Sequence, residues 1–295
     1  MQKQEIVQKL IDTSGKLEET AEQWDTIIRP AQGWAPLQLR EWWEYRELLY
    51  FLVWRNLKVR YKQTVLGAAW AVIQPFMTMV VFSIFFGQLA RIPSDGIPYP
   101  IFAYAALVPW TYFSNALTRA SNTLVDNEKM ITKIYFPRMF LPASDVLAGL
   151  VDFAVAFLLL IGMMLWYGLT PTAAAWVVLP FLILLTLATA LSMSLWLSAI
   201  NVLYRDVRYV VAFIVQFWLF VTPVAYPSSL VPEQWRALYG LNPMAGVVEG
   251  FRWALLGNTP APGALVGVSF VAVMVFLMGG LYYFRRLEET FADVV

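Results

Sequence analysis

The chain has no cysteine and no histidine, and only 14% of its 295 residues are charged. Without cysteine there is no disulfide framework, thiolate nucleophile or iron–sulfur cluster. Without histidine, the commonest metal ligand and the usual general base near neutral pH are both missing. Soluble domains carry about 25% charged residues, so this chain has roughly half the usual means of wetting its surface. A net charge of +1 also argues against a nucleic-acid partner, because phosphate binding needs a clustered positive excess.

Hydrophobic residues are abundant instead, at 59%, with 13 tryptophans and 14 tyrosines. Belts of these two aromatic residues are typical of the two interfaces of a membrane, so we predict an integral membrane protein. Residues 1–37 mix Gln, Glu, Lys and Asp with short apolar pairs and contain no apolar h-region of a secretory signal. We expect this segment to be a cytoplasmic lead-in to a membrane domain at residues 63–295.

The apolar segments predict an all-helical protein with six transmembrane helices, since about 20 apolar residues cross the hydrocarbon core. The spans cover approximately residues 65–89, 101–124, 141–167, 173–200, 209–225 and 264–284. The uncharged stretch at residues 153–204 is too long for one span, and the sequence Gly-Leu-Thr-Pro at residues 168–171 supplies the break.

Lysine and arginine are distributed unequally between the two sides of these spans. One side has Arg55, Lys58, Arg60, Lys62, Lys129, Lys133, Arg138, Arg205, Arg208, Arg285 and Arg286. The other side has only Arg91, Arg236 and Arg252. The positive-inside bias therefore places both termini in the cytoplasm.

Residues 38–62 precede the first span and predict an amphipathic helix in the inner membrane interface. Its apolar positions fall near one helical face, comprising Leu39, Trp42, Trp43, Leu49, Tyr50, Val53 and Leu57. Its polar positions fall opposite, comprising Arg40, Glu44, Glu47 and Arg55. A soluble helix packed on another subunit is the alternative.

Residues 226–258, between spans five and six, predict two short helices on the outer side. One begins at Pro232-Glu233 and ends near Gly240, and the other begins at Asn242-Pro243 and ends near Gly257. Opposite charges lie three residues apart in Glu233/Arg236 and in Glu249/Arg252, which lowers the cost of placing them near lipid. We expect a re-entrant helical hairpin, with an ordinary external loop carrying surface helices as the alternative.

Catalytic chemistry is hard to find in this sequence. We identify three ionisable residues in or near the spans, namely Asp145, Asp152 and Glu249, and no carboxylate cluster suited to a divalent metal. Gly15-Lys16 lacks the GxxxxGK[ST] frame that binds nucleotide phosphates. We therefore expect no cofactor in this chain, and energy for transport would have to come from a partner.

The cytoplasmic loop at residues 125–137 mixes charges with apolar groups expected to be exposed, which favours docking on a partner protein. Its candidate contact residues are Asp126, Glu128, Lys129, Met130, Ile131, Lys133, Ile134, Tyr135 and Phe136. Aromatic residues also cluster toward the outer ends of spans one and five: Phe82, Phe85, Phe86, Phe217, Trp218 and Tyr226. An interfacial belt or a surface for sugar rings would each explain them.

Four stretches together resemble the permease subunit of ABC-type polysaccharide exporters, a group that includes O-antigen, capsule and teichoic acid exporters. They are WRNLKVRYKQTVLGAAWAVIQP at 54–75, NEKMITKIYFPR at 127–138, NVLYRDVRY at 201–209 and LNPMAGVVEGFRWALLG at 241–257. The resemblance extends from about residue 38 to the end of the chain, in the order and spacing of the family.

The resemblance implies a homodimer in the inner membrane that binds two copies of a separate ATPase, which holds MgATP. It also implies a polysaccharide cargo on undecaprenyl diphosphate, and we expect this cargo to be an O-antigen. Residues 126–137 match the coupling helix, and spans one and five line the translocation path, which places the six aromatics near the channel. Arg55, Lys58, Arg60 and Lys62 would then lie near the lipid diphosphate, although plain membrane anchoring explains them equally well.

Three rival functions remain open from the sequence. A teichoic acid or capsule exporter would carry nearly the same motifs, and the aromatic content only weakly disfavours a drug exporter of the same fold. An enzyme acting on lipid-linked sugars in the membrane would need Asp145 and Asp152 as catalytic groups.

Overall fold

The computed structural model describes residues 43–62, 69–257, 261–288 and 290–291, and throughout these ranges the regular structure is helical. The helices are α1 (Arg46–Tyr61), α2 (Ala69–Phe82), α3 (Tyr99–Asp126), α4 (Glu128–Ile131), α5 (Phe140–Tyr167), α6 (Ala175–Leu203), α7 (Val207–Val221), α8 (Glu233–Tyr239), α9 (Pro243–Leu256) and α10 (Gly263–Glu288). A π-helical segment, Ser83–Leu89, continues α2. The all-helical prediction is confirmed for this part of the chain, whereas the predicted lead-in at residues 1–37 lies outside the described residues.

Four helices are long and apolar enough to cross a membrane: Ala69–Leu89, Phe140–Tyr167, Ala175–Leu203 and Gly263–Glu288. They correspond to predicted spans one, three, four and six, except that residues 65–68 are not described. The helix α7 is apolar but shorter, and it ends at Val221 rather than at the predicted residue 225. The helix α3 is long enough at 28 residues, but it is less apolar than these four helices.

The helix α3 is the centre of the bundle and packs against α2, α5, α6, α7 and α9. Most of its side chains are buried, including aromatic residues with polar atoms. The Tyr112 hydroxyl donates to the Val146 carbonyl at 3.0 Å, and the Tyr104 hydroxyl donates to the Ala156 carbonyl at 3.4 Å. Because these hydroxyls find partners inside the protein, α3 can be less apolar than a helix that faces lipid.

Local sequence signals set several helix ends. The α5 helix ends at Gly168, whose φ of 65° lies in the left-handed region that favours glycine. The α9 helix begins after Asn242, whose side chain accepts from the Met244 amide at 3.1 Å, and it ends at Gly257 with a φ of 69°. These ends, and the bounds of α8, confirm the two short helices predicted between spans five and six.

Buried side chains form two clusters at different levels of the bundle. The larger one is centred on α3, α5, α6 and α9. The smaller one joins α1, α4, the start of α5 and the ends of α6 and α10, through residues such as Leu52, Ile131, Phe140, Val202 and Phe284. We call the end of the bundle with the smaller cluster the α4 end, and the opposite end, with α8 and the start of α9, the α8 end.

Candidate functional site

Polar side chains on one side of α1 attach this helix to the α4 end of the bundle. The Arg55 guanidinium donates to the Asn127 side-chain oxygen at 3.1 Å, between α3 and α4. The Asn56 amide donates to Ser144 at 3.0 Å and to Asp145 at 2.9 Å, near the start of α5. The α1 helix is therefore bonded both to the candidate partner-docking loop and to α5.

One turn further along α1, Arg60 forms an ion pair with Asp152, and the Tyr61 hydroxyl donates to the same carboxylate. Burial, together with the Asp152 charge and its hydrogen bond, raises the pKa of Tyr61 to about 12, so the phenol keeps its proton at neutral pH. Asp145 and Asp152 thus both join α5 to α1. These contacts give the two carboxylates a structural role in place of a catalytic one.

The predicted division of α1 into an apolar and a charged face is wrong at Arg55. This residue turns toward the protein, next to the buried Leu52. The exposed side of α1 is instead largely aromatic, with Tyr50, Phe51 and Trp54 more than half exposed. Residues 38–42 of the predicted helix lie outside the described residues.

The four cations of the basic run consequently have two different environments. Arg55 and Arg60 are half-buried and contact the bundle. Lys58 and Lys62 are exposed. A single role for all four cations would have to fit two half-buried arginines as well as two exposed lysines.

Two polar spaces adjoin the protein-facing side of α1. The deep cavity, of about 230 Å³, lies between α1, α2, α3 and α5 and includes Gln74, Thr111, Asn115, Arg119, Asp145 and Asp152 in its lining. The polar groove, of about 700 Å³, lies between α1, α3, α5 and the start of α7, and its charged lining residues are Arg55, Arg60, Arg119, Arg208, Asp126 and Asp145. Arg60, Arg119 and Asp145 line both.

Arg119 is a functional candidate that the sequence analysis missed. It lies inside the second predicted span, and its guanidinium approaches the Asp152 carboxylate at 4.0 Å. A single arginine in an otherwise uncharged span was the available signal, because such a charge needs a partner or a polar space. Arg208, which the sequence places in a loop before the fifth predicted span, donates from its guanidinium to Asn122 at 3.2 Å and approaches Asp126 at 3.6 Å.

The loop around α4 exposes only part of its apolar surface. Ile134 and Tyr135 are 61% and 63% exposed, whereas Ile131 and Phe136 are 3% and 5% exposed. The prediction that all these apolar groups are exposed is therefore wrong for Ile131 and Phe136, because both belong to the smaller buried cluster. Met130 is half-buried, and the charged candidates are exposed: Asp126, Glu128, Lys129 and Lys133.

The aromatic candidates near the α8 end also divide into two groups. Phe85 and Phe217 are more than half exposed. Phe82 is buried and meets Phe86 edge-on at 5.1 Å between ring centroids. Trp218 packs edge-on against Phe113 at 5.1 Å, and its indole N–H donates to Asn242 at 2.8 Å. Tyr226 shares a hydrogen bond with the Tyr239 hydroxyl at 2.9 Å.

At the α8 end, buried charges join α9 to its surroundings. Arg252 pairs with Glu249 at 2.9 Å, as their spacing predicts, and both are buried. The same guanidinium donates to the carbonyls of Phe102 at 3.2 Å and Val224 at 2.6 Å. By contrast, Arg236 donates to backbone carbonyls in the segment that precedes α8, including Val231 at 3.0 Å.

A bundle of long apolar helices, with a charged loop and a polar groove at one end, is consistent with a membrane protein. The family model described as ABC-2 type transporter matches residues 47–256, and the chain therefore belongs to this family of transport permeases. This confirms the resemblance identified from the four sequence stretches, and it removes support from the enzyme alternative. Membership also implies a partner ATPase and a membrane setting.

This chain matches several curated relatives over nearly their whole length. The O-antigen export system permease protein RfbA of Myxococcus xanthus is 33% identical over 261 residues, which is 87% of this chain and 98% of the relative. A protein of the same name from Klebsiella pneumoniae is 26% identical over 84% of this chain and 95% of the relative. The polysialic acid transport protein KpsM of Escherichia coli is 22% identical over 80% of this chain and 91% of the relative.

Proposed function

We propose that this chain is the membrane-spanning subunit of an ATP-driven exporter of polysaccharide linked to undecaprenyl diphosphate, with O-antigen as the cargo. The observation that carries the proposal is the 33% identity to an O-antigen export permease over 98% of that relative. The proposed location is the inner membrane, across which such a polymer would be exported.

The proposed topology has six spans with both termini in the cytoplasm, so that the α4 end faces the cytoplasm. The helix α3 is about 42 Å long at 1.5 Å per residue, enough to cross a hydrocarbon core of about 30 Å. The helix α7 is shorter, and residues 222–225 continue it as buried non-helical backbone. Such backbone is tolerated at membrane depth where protein covers it, and Arg252 satisfies two of its carbonyls.

We propose that α8 and α9 form a re-entrant hairpin that enters the bundle from the outer side. The burial of nearly all of α9 supports this arrangement over a loop of surface helices. The buried pair of Glu249 with Arg252 would lower the cost of placing these two charges at that depth.

The loop around α4 is proposed to dock on the partner ATPase. Its exposed Ile134 and Tyr135 would enter a groove of the partner, while the buried Ile131 and Phe136 hold the loop on the bundle. The assembly would be a homodimer with two ATPase copies, and MgATP would be bound by the ATPase rather than by this chain.

The exposed aromatic side chains of α7 and of the π-helical segment are proposed to line the translocation path. Phe85 and Phe217 point away from the buried core and offer flat apolar faces that suit sugar rings. Phe82, Phe86, Trp218 and Tyr226 would support them, since their contacts lie largely within the bundle.

A capsule polymer is the second candidate cargo. The relative named for polysialic acid transport supports this option, although its identity of 22% is lower than that of the O-antigen permeases. A teichoic acid would require the same machinery, and only analysis of the cargo separates the three.

Co-purification tests the two-component assembly. The wild-type chain, isolated from its native membrane in mild detergent, should bring an equal number of ATPase copies and hydrolyse ATP. The I134S/Y135S variant should lose at least nine-tenths of the bound ATPase, because it removes two exposed apolar groups without touching the buried cluster. A matched control is L238S/L241S, which alters two similarly exposed apolar groups at the α8 end.

The amount of ATPase recovered with each variant tests whether the partner docks at α4. Equal ATPase recovery with I134S/Y135S and the control would refute docking at α4.

Deletion of the gene for this chain from its host tests the cargo. We expect lipid-linked O-antigen to accumulate on the inner leaflet. Normal surface O-antigen with loss of capsule or teichoic acid would instead assign the second candidate cargo.

A further inference from the structure

The loop around α4 rejoins the bundle at Arg138, where the end of α10 holds it. The Arg138 amide donates to the Glu288 carboxylate at 2.8 Å, and the Arg138 guanidinium donates to the Glu288 carbonyl. The other oxygen of the same carboxylate accepts from Arg285 at 2.9 Å. Glu288 is only 9% exposed, so its charge is balanced by contacts within the protein rather than by water.

Apolar side chains accompany this attachment. Phe291, which follows α10, is fully buried and meets Phe284 of α10 edge-on at 5.2 Å between ring centroids. Both belong to the smaller buried cluster, together with Ile131 and Phe136 of the loop. The loop around α4 and the end of α10 therefore share one buried cluster as well as the contacts of Glu288.

Different helices hold the two ends of the loop. Arg55 of α1 donates to Asn127 where the loop begins, and Glu288 of α10 accepts from Arg138 where it ends. The exposed apolar groups proposed to enter the partner lie between these two attachments. A displacement of the loop by the partner would therefore act on α10 as well as on α1, because the hydrogen bonds must either move with the loop or break.

At the α8 end, α10 is bonded to the segment that contains the two short helices. The Ser269 hydroxyl donates to the Gly240 carbonyl at 2.9 Å and accepts from the Gly246 amide at 3.2 Å. From Ser269 to Glu288 the helix is continuous, and this stretch is about 28 Å long at 1.5 Å per residue. One helix therefore joins the loop around α4 to the proposed hairpin of α8 and α9.

A glycine pair within this stretch packs closely on α6 instead of forming an open hinge. A Cβ atom at Gly279 or Gly280 would lie 2.9 or 3.0 Å from a carbon atom of the Trp196 side chain. The Trp196 indole N–H also donates to the Phe276 carbonyl of α10 at 3.0 Å. Since glycine bends a helix most easily where nothing supports it, we expect α10 to move as one unit.

We infer that Glu288 positions the loop around α4, and that α10 transmits a displacement of this loop to the hairpin of α8 and α9. The inference rests on the proposed function and deepens it, because it names the element that would couple ATP hydrolysis at one end of the bundle to opening at the other. Glu288 acts through Arg138, so it is a positioning residue rather than a ligand of nucleotide or cargo.

The measurement is a coupling ratio, defined as the polymer that reaches the cell surface divided by the ATP hydrolysis rate of the same amount of purified complex. We expect E288A to keep at least half of the bound ATPase, because Ile134 and Tyr135 are unchanged. The coupling ratio should fall about fivefold, within the range of coupling changes that single substitutions produce. E47A is the matched control, since Glu47 is exposed on α1, and it should change the ratio less than twofold.

The far end of α10 provides a second test. S269A removes the hydroxyl that bonds to Gly240 and Gly246 and leaves the loop around α4 unchanged. This variant should lower the coupling ratio about threefold with full ATPase recovery. S194A is its control, because the Ser194 hydroxyl is buried without a hydrogen-bond partner in the described part of the chain, and its ratio should stay within twofold of the wild type.

Three results would overturn the inference. A purely structural Glu288 would lower the melting temperature and yield of E288A and leave the coupling ratio unchanged. Loss of the ATPase from E288A would assign Glu288 to docking instead of coupling. A reduced ratio in E288A with a normal ratio in S269A would show that the effect ends at the loop.

The same experiments separate this inference from the proposed function. A wild-type complex that hydrolyses ATP and exports polymer, with E288A and S269A equal to it, would refute the inference alone. A wild-type chain that recovers no ATPase would refute the proposed function.

Discussion

At the scale of single residues, Arg252 is the most completely enclosed charge among the described residues. Its guanidinium lies over the Phe102 ring at 3.6 Å, pairs with Glu249, and donates to carbonyls of α3 and of the segment after α7. A buried charge with this many partners is costly to disturb, because removing it leaves the Glu249 carboxylate without its cationic partner and several carbonyls without this donor.

We predict that R252Q lowers the free energy of unfolding by about 3–5 kcal/mol, because it leaves Glu249 as an unpaired buried charge. The measurement is thermal unfolding and the yield of monodisperse protein in detergent. R236Q is the control, since Arg236 bonds to backbone carbonyls at the surface and should change stability by less than about 1 kcal/mol. Equal losses in both variants would contradict this account of Arg252.

The basic run shows what a sequence can and cannot predict about individual side chains. Its position next to a span predicted a location at one end of the bundle, and the contacts of Arg55 with the α4 loop agree with that. The separation of Arg55 and Arg60 from Lys58 and Lys62 was not predictable, because it depends on Asn127 and Asp152, which are distant in the chain.

At the scale of elements, α9 and α10 approach each other closely at Gly246. A Cβ atom at this position would lie 2.4 Å from the Ser269 hydroxyl oxygen and 3.2 Å from the Leu265 carbonyl oxygen. The Gly246 amide also donates to the Ser269 hydroxyl oxygen at 3.2 Å. The contact therefore requires a glycine at this position and includes a hydrogen bond between α9 and α10.

We predict that G246A destabilises the protein by about 1–3 kcal/mol, the usual cost of an added methyl group in a packed contact. G162A is the matched control, because Gly162 is exposed within α5 and a Cβ there would meet nothing within 4 Å. That control should be neutral or should stabilise by up to about 1 kcal/mol through helix propensity. Thermal unfolding of both variants provides the comparison, and a stable G246A would show that α9 can move away from α10.

Helix positions were largely predictable, whereas the faces of the helices were less so. Apolar run length predicted the four long apolar helices, and Pro, Asn and Gly predicted the ends of α8 and α9. The early end of α7 was missed although Pro223 was an available signal, because the residue before a proline is disfavoured in a helix. The burial of Ile131 and Phe136 was missed because α1 and α10, not the loop itself, determine which side of the loop is covered.

At the scale of the whole molecule, the absence of cysteine allows a direct test of the proposed topology, since every introduced thiol is unique. K133C places an exposed thiol in the α4 loop, and S229C places one near α8. A membrane-impermeant maleimide applied to spheroplasts with an intact inner membrane should label S229C and not K133C.

Both thiols should react once the cells are permeabilised, which controls for accessibility. Labelling of K133C in intact cells would invert the proposed orientation. Labelling of both in the spheroplasts would show that the two positions lie on the same side, so that an even number of crossings separates them instead of the proposed three.

The contacts of Arg252 also bear on the order in which the molecule is made. Its carbonyl partners belong to residues 102 and 223–226, and Glu249 precedes it by three positions, so all of them are translated before it. Ser269, which closes the other side of α9, is translated afterwards. A nascent chain can therefore neutralise its most deeply enclosed charge while its final helix is still inside the ribosome.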